Sequence, residues 1–336
     1  MMTNGDDAVE VVPVRHIGRY VAGFVVAVAL AMLVHTLFSK VPTGQVSCHS
    51  VAGVRHCHPV TNWRFGWNVV FHYFTSREIL SGLLVTLELT VIAMAIGISL
   101  GLLIAIMRLS HNRLVSATAW VYTWFFRGTP VYVQLLFWFN IAALYQTVTF
   151  GLPFLNVTFA HINLVAFFTP FNTAVVGLGL NEAAYMSEIA RSGLISVDEG
   201  QIEAATSLGM TRAQTLRLVI LPQAMRVIIP PTGNEIISML KTTSLAIAVS
   251  LVELLGAATN IYSANYEIMP LLIVASLWYL IVTTVLSTGQ FYVERHYAKG
   301  ALRTPPPTPI QRLRNDVRGI AAKFGSSRST IAKASS

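Results

Sequence analysis

The chain has 336 residues, of which 54% are hydrophobic and only 11% are charged, and its mean hydropathy is +0.60. These values exclude an ordinary soluble domain and are typical of a polytopic membrane protein. The net charge of +8 belongs to loops on one side of a membrane, so it indicates no nucleic-acid partner. With two cysteines, the chain can form neither a disulfide framework nor a four-cysteine metal site.

Residues 1–79 contain a polar tail, a first membrane span over about residues 17–38, and a polar loop over residues 39–79. The span is long enough to remain as an anchor, so no cleavable signal is expected. The loop contains Cys48, His49, His56, Cys57 and His58. We favour a disulfide between the two cysteines, and unpaired side chains or a metal site are the alternatives.

The second span, over about residues 80–107, carries small residues four positions apart at Ala93, Gly97, Gly101 and Ala105. This spacing predicts a face that packs closely against another helix in lipid. Glu88 lies in the same span and is expected to point to protein or water, because a charge exposed to lipid is costly.

The third span, over about residues 114–144, contains Phe126-Arg127-Gly128-Thr129-Pro130. An arginine beside this sequence predicts a broken helix that lines a cavity or is surrounded by protein, although Arg127 could equally be a structural residue bound to carbonyls. The fourth span covers about residues 171–195 and has a second small-residue ladder at Gly179, Ala183 and Ser187. Its Glu188–Arg191 pair is interpreted as structural.

The polar stretch Ser196–Pro222 separates two hydrophobic spans and must lie in water. Ser196 with Glu199, and Thr211 with Gln214, predict two helix starts closed by capping boxes. Gly209 between them predicts a left-handed turn, and Pro222 is expected to end the second helix. A face made of Ile202, Ala205 and Leu208 suits insertion into the groove of another protein.

The fifth span, over about residues 224–255, is expected to be interrupted at Pro230-Pro231, and a sixth follows over about residues 269–292. Glu235 and the polar run from Lys241 to Ser244 are expected to face a cavity. Six spans place both termini on one side, together with most of the 23 Lys and Arg residues. This side is therefore predicted to be cytoplasmic, because the opposite side carries only Lys40, Arg55, Arg64 and Arg77.

Residues 298–336 form a tail that begins with a proline-rich spacer. Beyond Ile310, apolar residues recur at steps of three and four among Arg and Lys residues. The tail is predicted to form an amphipathic helix on an anionic membrane surface, and the alternative is a disordered segment.

Three motifs resemble those of the permease subunits of ABC importers. Glu203-Ala204-Ala205, Gly209 and Leu221-Pro222 resemble the EAA loop of this family, with Val219 where isoleucine is usual. Glu182-Ala183-Ala184 is a decoy, because Glu188 occupies the position of the glycine and the surroundings span the membrane. The other two motifs are similar to segments of the polar amino-acid uptake permeases. The first is Phe126–Pro130, continuing to Gln134, and the second is Lys241-Thr242-Thr243-Ser244-Leu245.

The resemblance covers about residues 80–297 and implies an all-α type I permease with about six transmembrane helices, flanked by additions at 1–79 and 298–336. It implies a loop that docks on an ATPase and contains Glu203, Ala204, Ala205, Gly209, Leu221 and Pro222. It also implies candidates for the substrate path at Arg127, Glu235, Lys241, Thr242, Thr243 and Ser244.

The implied partners are two ATP-binding subunits, a second permease subunit of the same or a related chain, an external substrate-binding protein and a polar amino acid, in the cell membrane (the inner membrane of a Gram-negative cell). No catalytic residue, metal or cofactor is expected in this chain, since no GxxxxGK[ST] phosphate loop occurs. An ion-coupled secondary transporter that uses Glu88, Glu182, Glu188 or Glu235 is the alternative. A membrane-embedded enzyme is disfavoured because no cluster within the spans has catalytic spacing.

Overall fold

The structure is a computed structural model that describes residues 17–51, 54–152, 157–297 and 314, with the side chains of residues 17–20, 42–62 and 150–160 outside the description. The chain divides into two compact units, one made of residues up to Ser76 together with Ala258–Val274, the other of Arg77–Ala257 and the residues from Ala275.

The first unit begins with the apolar helix α1 (Ile17–Leu37), and the predicted polar loop after it is an ordered β-hairpin. Strands β1 (Lys40–Val51) and β2 (Val54–Trp63) pair antiparallel and are followed by the short helix α2 (Trp67–Phe74). The indole N–H of Trp67 donates to the Leu37 carbonyl at 2.8 Å. This bond ties the start of α2 to the end of α1.

The hairpin register places Cys48 directly opposite Cys57. Facing residues of an antiparallel pair have Cα separations within the range that a disulfide requires. The two side chains lie outside the described residues, so the disulfide stays a prediction.

The second unit holds the remaining elements, and a second β-hairpin occupies the turn-rich segment between the third and fourth predicted spans. In chain order the elements are α3 (Arg77–Arg108), α4 (Arg113–Gly128), α5 (Val131–Leu144), β3 (Thr147–Leu152), β4 (Val157–Asn163), α6 (Leu164–Phe167), α7 (Pro170–Ile195), α8 (Glu199–Ser207), α9 (Arg212–Thr215), a π-helical turn (Leu216–Ile220), α10 (Leu221–Thr242), a 3₁₀ helix (Thr243–Val249), α11 (Leu254–Asn265) and α12 (Ile268–Tyr297). The last two helices contribute residues to both units.

The centre of the second unit is the packing of α3 against α7, as the two small-residue ladders predict. A methyl group added at Gly97 would lie 2.5 Å from Cγ of Glu182, and one added at Gly101 would lie 2.6 Å from Cβ of Met186. Both distances are far below normal van der Waals contact, so the absence of side chains lets the two backbones approach. Leu89, Leu135 and Leu178 are fully buried around this contact.

The predicted break in the third span is confirmed, because α4 ends at Gly128 and α5 begins at Val131. The predicted interruption of the fifth span is wrong. Helix α10 runs through both Pro230 and Pro231, and the regular helix gives way only at the 3₁₀ segment. Gln290 Nε2 on the neighbouring α12 donates to the Pro230 carbonyl at 3.2 Å, which ties α12 to this part of α10.

Two helices of the described residues, Arg77–Arg108 and Ile268–Tyr297, are long and apolar enough to cross a membrane by themselves. A bent pair, Arg212–Val249 with Leu254–Asn265, passes the same test when taken together, and Val21–Leu37 and Val131–Leu144 are shorter apolar helices. The count of six spans stays a prediction. The predicted amphipathic helix beyond Ile310 lies outside the described residues, except for residue 314.

Candidate functional site

The polar stretch between α7 and α10 forms a short helix, a sharp turn and the start of a second helix. Helix α8 begins after Asp198, whose side chain accepts a hydrogen bond from the Gly200 N–H at 2.8 Å. The predicted capping box at Ser196 is therefore wrong. Ser196 closes α7 instead, and its hydroxyl donates to the Gly193 carbonyl at 2.7 Å. Asp198 can replace it because either a serine or an aspartate satisfies the first free amide groups.

The turn after α8 has the predicted geometry. Gly209 has a φ of +77°, and the amide of Met210 donates to the Ala205 carbonyl at 3.1 Å. The second capping box is confirmed, since Thr211 and Gln214 exchange side chain and backbone hydrogen bonds. The prediction that Pro222 ends the second helix is wrong. It follows the π-helical turn directly, and the helical segment that begins at Arg212 continues through it into α10.

The exposed surface of this helical hairpin differs from the predicted face. Ala205 is 4% exposed on α8, which packs against α9 and the π-helical turn, so a bulky side chain there would disturb the hairpin itself. Glu203 and Ala204 are exposed, and Leu208 at the tip is 82% exposed. A partner would therefore meet Glu203, Ala204 and Leu208 directly, and Ala205 would act by holding α8 in place.

A cavity of about 520 Å³ lies between the broken span, α7 and α10. Its lining is mostly polar, and the described residues that form it are Arg127, Gly128, Thr129, Pro130, Val131, Asn181, Glu182, Tyr185, Glu235, Ser238, Met239 and Thr242. We call this space the central cavity.

Amide side chains stabilise the helix break that shapes one wall of the central cavity. Gln134 Nε2 donates to the carbonyls of Phe126 and Thr129, both at 3.0 Å, and to Thr129 Oγ1 at 2.7 Å. Asn181 Nδ2 on α7 also donates to the Phe126 carbonyl, at 2.9 Å. These bonds satisfy carbonyls that a continuous helix would have paired. The arginine beside the break is consequently not needed to cap it.

Three charged groups face the central cavity. The Arg127 guanidinium lies over the ring of Tyr185, 5.4 Å from its centroid. Glu182 is 3% exposed, and its Oε1 has no hydrogen-bond partner among the described residues. Glu235 on α10 is half-buried. A buried carboxylate oxygen without a partner is costly and is satisfied when a donor or cation enters.

The structure brings together only some of the predicted substrate-path residues. Arg127, Glu235 and Thr242 line the central cavity, whereas Lys241 is exposed away from it. Thr243 is buried behind it, and Ser244 donates to the Lys241 carbonyl. A role for Lys241 on the substrate path stays a prediction.

Glu182 belongs to this site but is not among the substrate-path residues predicted from the sequence. In the sequence it stands out only in the decoy motif and among the acids of the ion-coupled alternative. Asn181, Glu182 and Tyr185 are spaced by one and three residues on α7, which is a signal that points toward one helix face. The other acids differ, because Glu88 is exposed on α3 and Glu188 is bound to Arg108 at 3.2 Å and to Arg191 at 2.8 Å. The predicted Glu188–Arg191 pair is confirmed.

The chain is a helical membrane protein with a polar cavity at a broken span and a capped helical hairpin outside the spans. These features are those of a transport permease. Residues 97–299 match the family described as binding-protein-dependent transport system inner membrane component, and the chain belongs to this family. The assignment confirms the resemblance to permease subunits of ABC importers. It gives no support to the ion-coupled alternative.

The chain is similar to permeases with related names. It is 43% identical over 298 residues to the arginine transport system permease protein ArgU of Corynebacterium glutamicum, covering 88% of this chain and 85% of that protein. It is 36% identical over 206 residues to the histidine/lysine/arginine/ornithine transport system permease protein HisM of Escherichia coli K12, covering 61% and 83%.

A crystal structure of an amino acid ABC transporter with histidines aligns with a TM-score of 0.55 at 36% identity, covering 65% of this chain and 94% of that one. A bacterial ABC transporter that imports the acidic polysaccharide alginate aligns with a TM-score of 0.50 at 11% identity, covering 84% and 94%. The second likeness concerns the fold alone.

Proposed function

We propose that the chain translocates an amino acid with a cationic side chain through the central cavity. The observation that carries this proposal is the charge pattern of the lining, which offers one guanidinium and two carboxylates. A cationic amino acid carries the complementary set, with one carboxylate, one ammonium group and one further cation. Arg127 would bind the α-carboxylate, and Glu182 and Glu235 would bind the two cations.

The burial of Glu182 supports the same assignment. Its free Oε1 lies at the wall of the cavity, and no Lys or Arg side chain of the described residues forms a salt bridge with it. A cationic group entering the cavity would supply the missing charge, whereas a neutral side chain would leave the carboxylate unpaired. The names of the similar permeases, which include arginine and histidine/lysine/arginine/ornithine systems, agree with this preference.

The proposed assembly has two ATP-binding subunits, a second permease subunit and an external substrate-binding protein, with ATP bound by the partner subunits. The exposed tip around Glu203, Ala204 and Leu208 would dock into a groove on one of the two ATP-binding subunits. Because this hairpin lies on the side with most Lys and Arg residues, we place it and both termini in the cytoplasm. Movement of the docked hairpin would then open the cavity alternately to each side.

Uptake by the complete transporter in proteoliposomes tests the substrate assignment. L-arginine and L-citrulline are compared, because citrulline has nearly the same shape without the charge. We expect Glu182→Gln to reduce the preference for arginine over citrulline by at least about tenfold, as expected when a buried charge loses its partner.

Glu78→Gln is the matched control, since Glu78 is an exposed acid in the first turn of α3. The same binding protein is used throughout, so a change in preference must arise in the membrane subunit. An unchanged arginine preference in Glu182→Gln, with normal assembly, would contradict the proposal.

A further inference from the structure

Glu253 is a completely buried acid that lies outside the central cavity and has no predicted role. It occupies the short turn between the 3₁₀ helix and α11. This turn lies at the end of α10 that is farthest from the docking hairpin. No Lys or Arg residue in the described part of the chain forms a salt bridge with its carboxylate.

Four neutral donors hold this carboxylate in place. Oε2 accepts from Thr86 Oγ1 on α3 at 3.1 Å, from the Tyr279 hydroxyl on α12 at 2.8 Å and from the Leu255 N–H at 3.0 Å. Oε1 accepts from the Gly256 N–H at 2.9 Å. We call Thr86, Glu253 and Tyr279 the Glu253 cluster. Its members come from three separate elements of the second unit, so the Glu253 carboxylate keeps all of its hydrogen bonds only while these elements stay together.

The backbone beside the cluster adopts an unusual conformation. Ser250 has a φ of +61°, which a residue with a side chain rarely adopts, and it ends the 3₁₀ helix. The Leu254 N–H donates to Thr86 Oγ1 at 3.1 Å. Such a turn persists only when its surroundings hold it. The backbone of the turn supplies part of that support, since the Ser250 N–H donates to the Ile247 carbonyl at 3.0 Å and the Leu251 N–H to the Ala246 carbonyl at 3.2 Å, and the Leu254–Thr86 bond holds the end of the turn beside the cluster.

The cluster also connects to the wall of the central cavity. The 3₁₀ helix that begins at Thr243 packs against α3, which carries Thr86, and Thr243 directly follows the cavity residue Thr242. The cluster therefore lies beside the segment that leads into the cavity wall.

We propose that Glu253 is a positioning residue that holds the segment Thr242–Val249 in its present conformation beside the central cavity, and that this conformation keeps the cavity closed at the end away from the hairpin Ser196–Pro222. Opening of that end separates Glu253 from the donors on α3 and α12. Removing one donor therefore favours the open state. This inference rests on the proposed ATP-driven importer and is independent of which amino acid is carried.

The test uses the complete transporter in nanodiscs, with ATP hydrolysis measured with and without the binding protein loaded with L-arginine. Tyr279→Phe and Thr86→Val each remove one donor with little change in shape, and Thr86→Val also removes the acceptor of the Leu254 N–H. We expect hydrolysis without binding protein to rise about fivefold in each variant, as loss of one hydrogen bond shifts the equilibrium toward the open state. Glu253→Gln should raise it at least as much.

Tyr292→Phe and Thr288→Val are the matched controls, since both residues lie exposed on α12 and outside the cluster. Both should behave as wild type. A merely structural role predicts that uptake and hydrolysis fall in parallel, and that result would overturn the proposal, as would unchanged hydrolysis in both donor variants. If Glu253→Gln fails to assemble, the two donor variants still decide the question.

Hydrogen exchange provides a second readout on the unaltered protein. The Leu255 and Gly256 amides both donate to Glu253. Their exchange should increase when a non-hydrolysable ATP analogue and the loaded binding protein are added together. Exchange that stays slow under these conditions would show that the cluster does not open. Failure of the arginine assignment alone would leave hydrolysis still stimulated by a binding protein loaded with another amino acid.

Discussion

The contact between α3 and α7 and the helical hairpin Ser196–Pro222 both depend on glycine, but for different physical reasons. At Gly97 a side chain has no space, because an added methyl group would meet Glu182 at 2.5 Å. At Gly209 nothing lies within 4 Å of an added methyl group, and the requirement is the φ of +77°. The first glycine therefore holds helices together, whereas the second shapes a surface that is free to meet a partner.

The largest expected effect follows substitution in the helix contact. Gly97→Val should separate α3 from α7 and displace Glu182 from the cavity wall, costing several kcal/mol, because overpacking in a core costs about 1–3 kcal/mol and more where backbone must move. We expect little folded protein, measured as the fraction that remains monodisperse after detergent extraction and heating.

Ala95→Val is the control for this substitution, as Ala95 is exposed on the same helix two residues away. It should retain wild-type stability. Equal stability of the two variants would mean that α3 and α7 do not approach as closely as the structure indicates.

An intermediate effect is expected in the hairpin. Gly209→Val should leave the spans folded and misplace α8, since a β-branched residue at positive φ costs about 1–2 kcal/mol or more. The variant should reach the membrane but lose the ATP-binding subunit during gentle purification, as measured by the ratio of the two chains.

Gly209→Asn separates conformation from size, because asparagine adopts the left-handed region more readily than other residues with side chains. It should retain most of the ATP-binding subunit. If Gly209→Val copurified as well as wild type, the turn would not be what orients α8.

The smallest effect concerns the two helix starts. Thr211→Ala should destabilise the second helix of the hairpin by about 1 kcal/mol, because it removes the side chain that accepts from the Gln214 N–H. Hydrogen exchange of the Gln214 amide should accelerate about fivefold. Ser196→Ala should leave the hydrogen exchange of α8 unchanged. Faster exchange in α8 would show that Ser196 does cap this helix.

Local patterns were sufficient for several features because the causes are local. Small residues spaced four apart predicted the packing faces of α3 and α7, and Gly128-Thr129-Pro130 predicted the helix break. Thr211 and Gln214 reported a real cap, as both partners lie within one turn. The prediction of a capping box at Ser196 was wrong because two nearby residues can cap the same helix. Asp198 competes for the same free amides, and sequence alone does not rank the two.

The sequence by itself determined a polytopic permease with small-residue helix faces, a broken span and a capped helical hairpin, because composition and short-range periodicity reflect lipid, backbone and capping requirements. Only the tertiary structure decided that Pro230 and Pro231 are accommodated inside α10, that Ala205 faces inward, and that Glu182 joins Arg127 and Glu235 at one cavity. It also decided that Glu253 is bound by residues 167 and 26 positions away. Contacts between distant residues depend on how the helices pack together, and no local pattern encodes that packing.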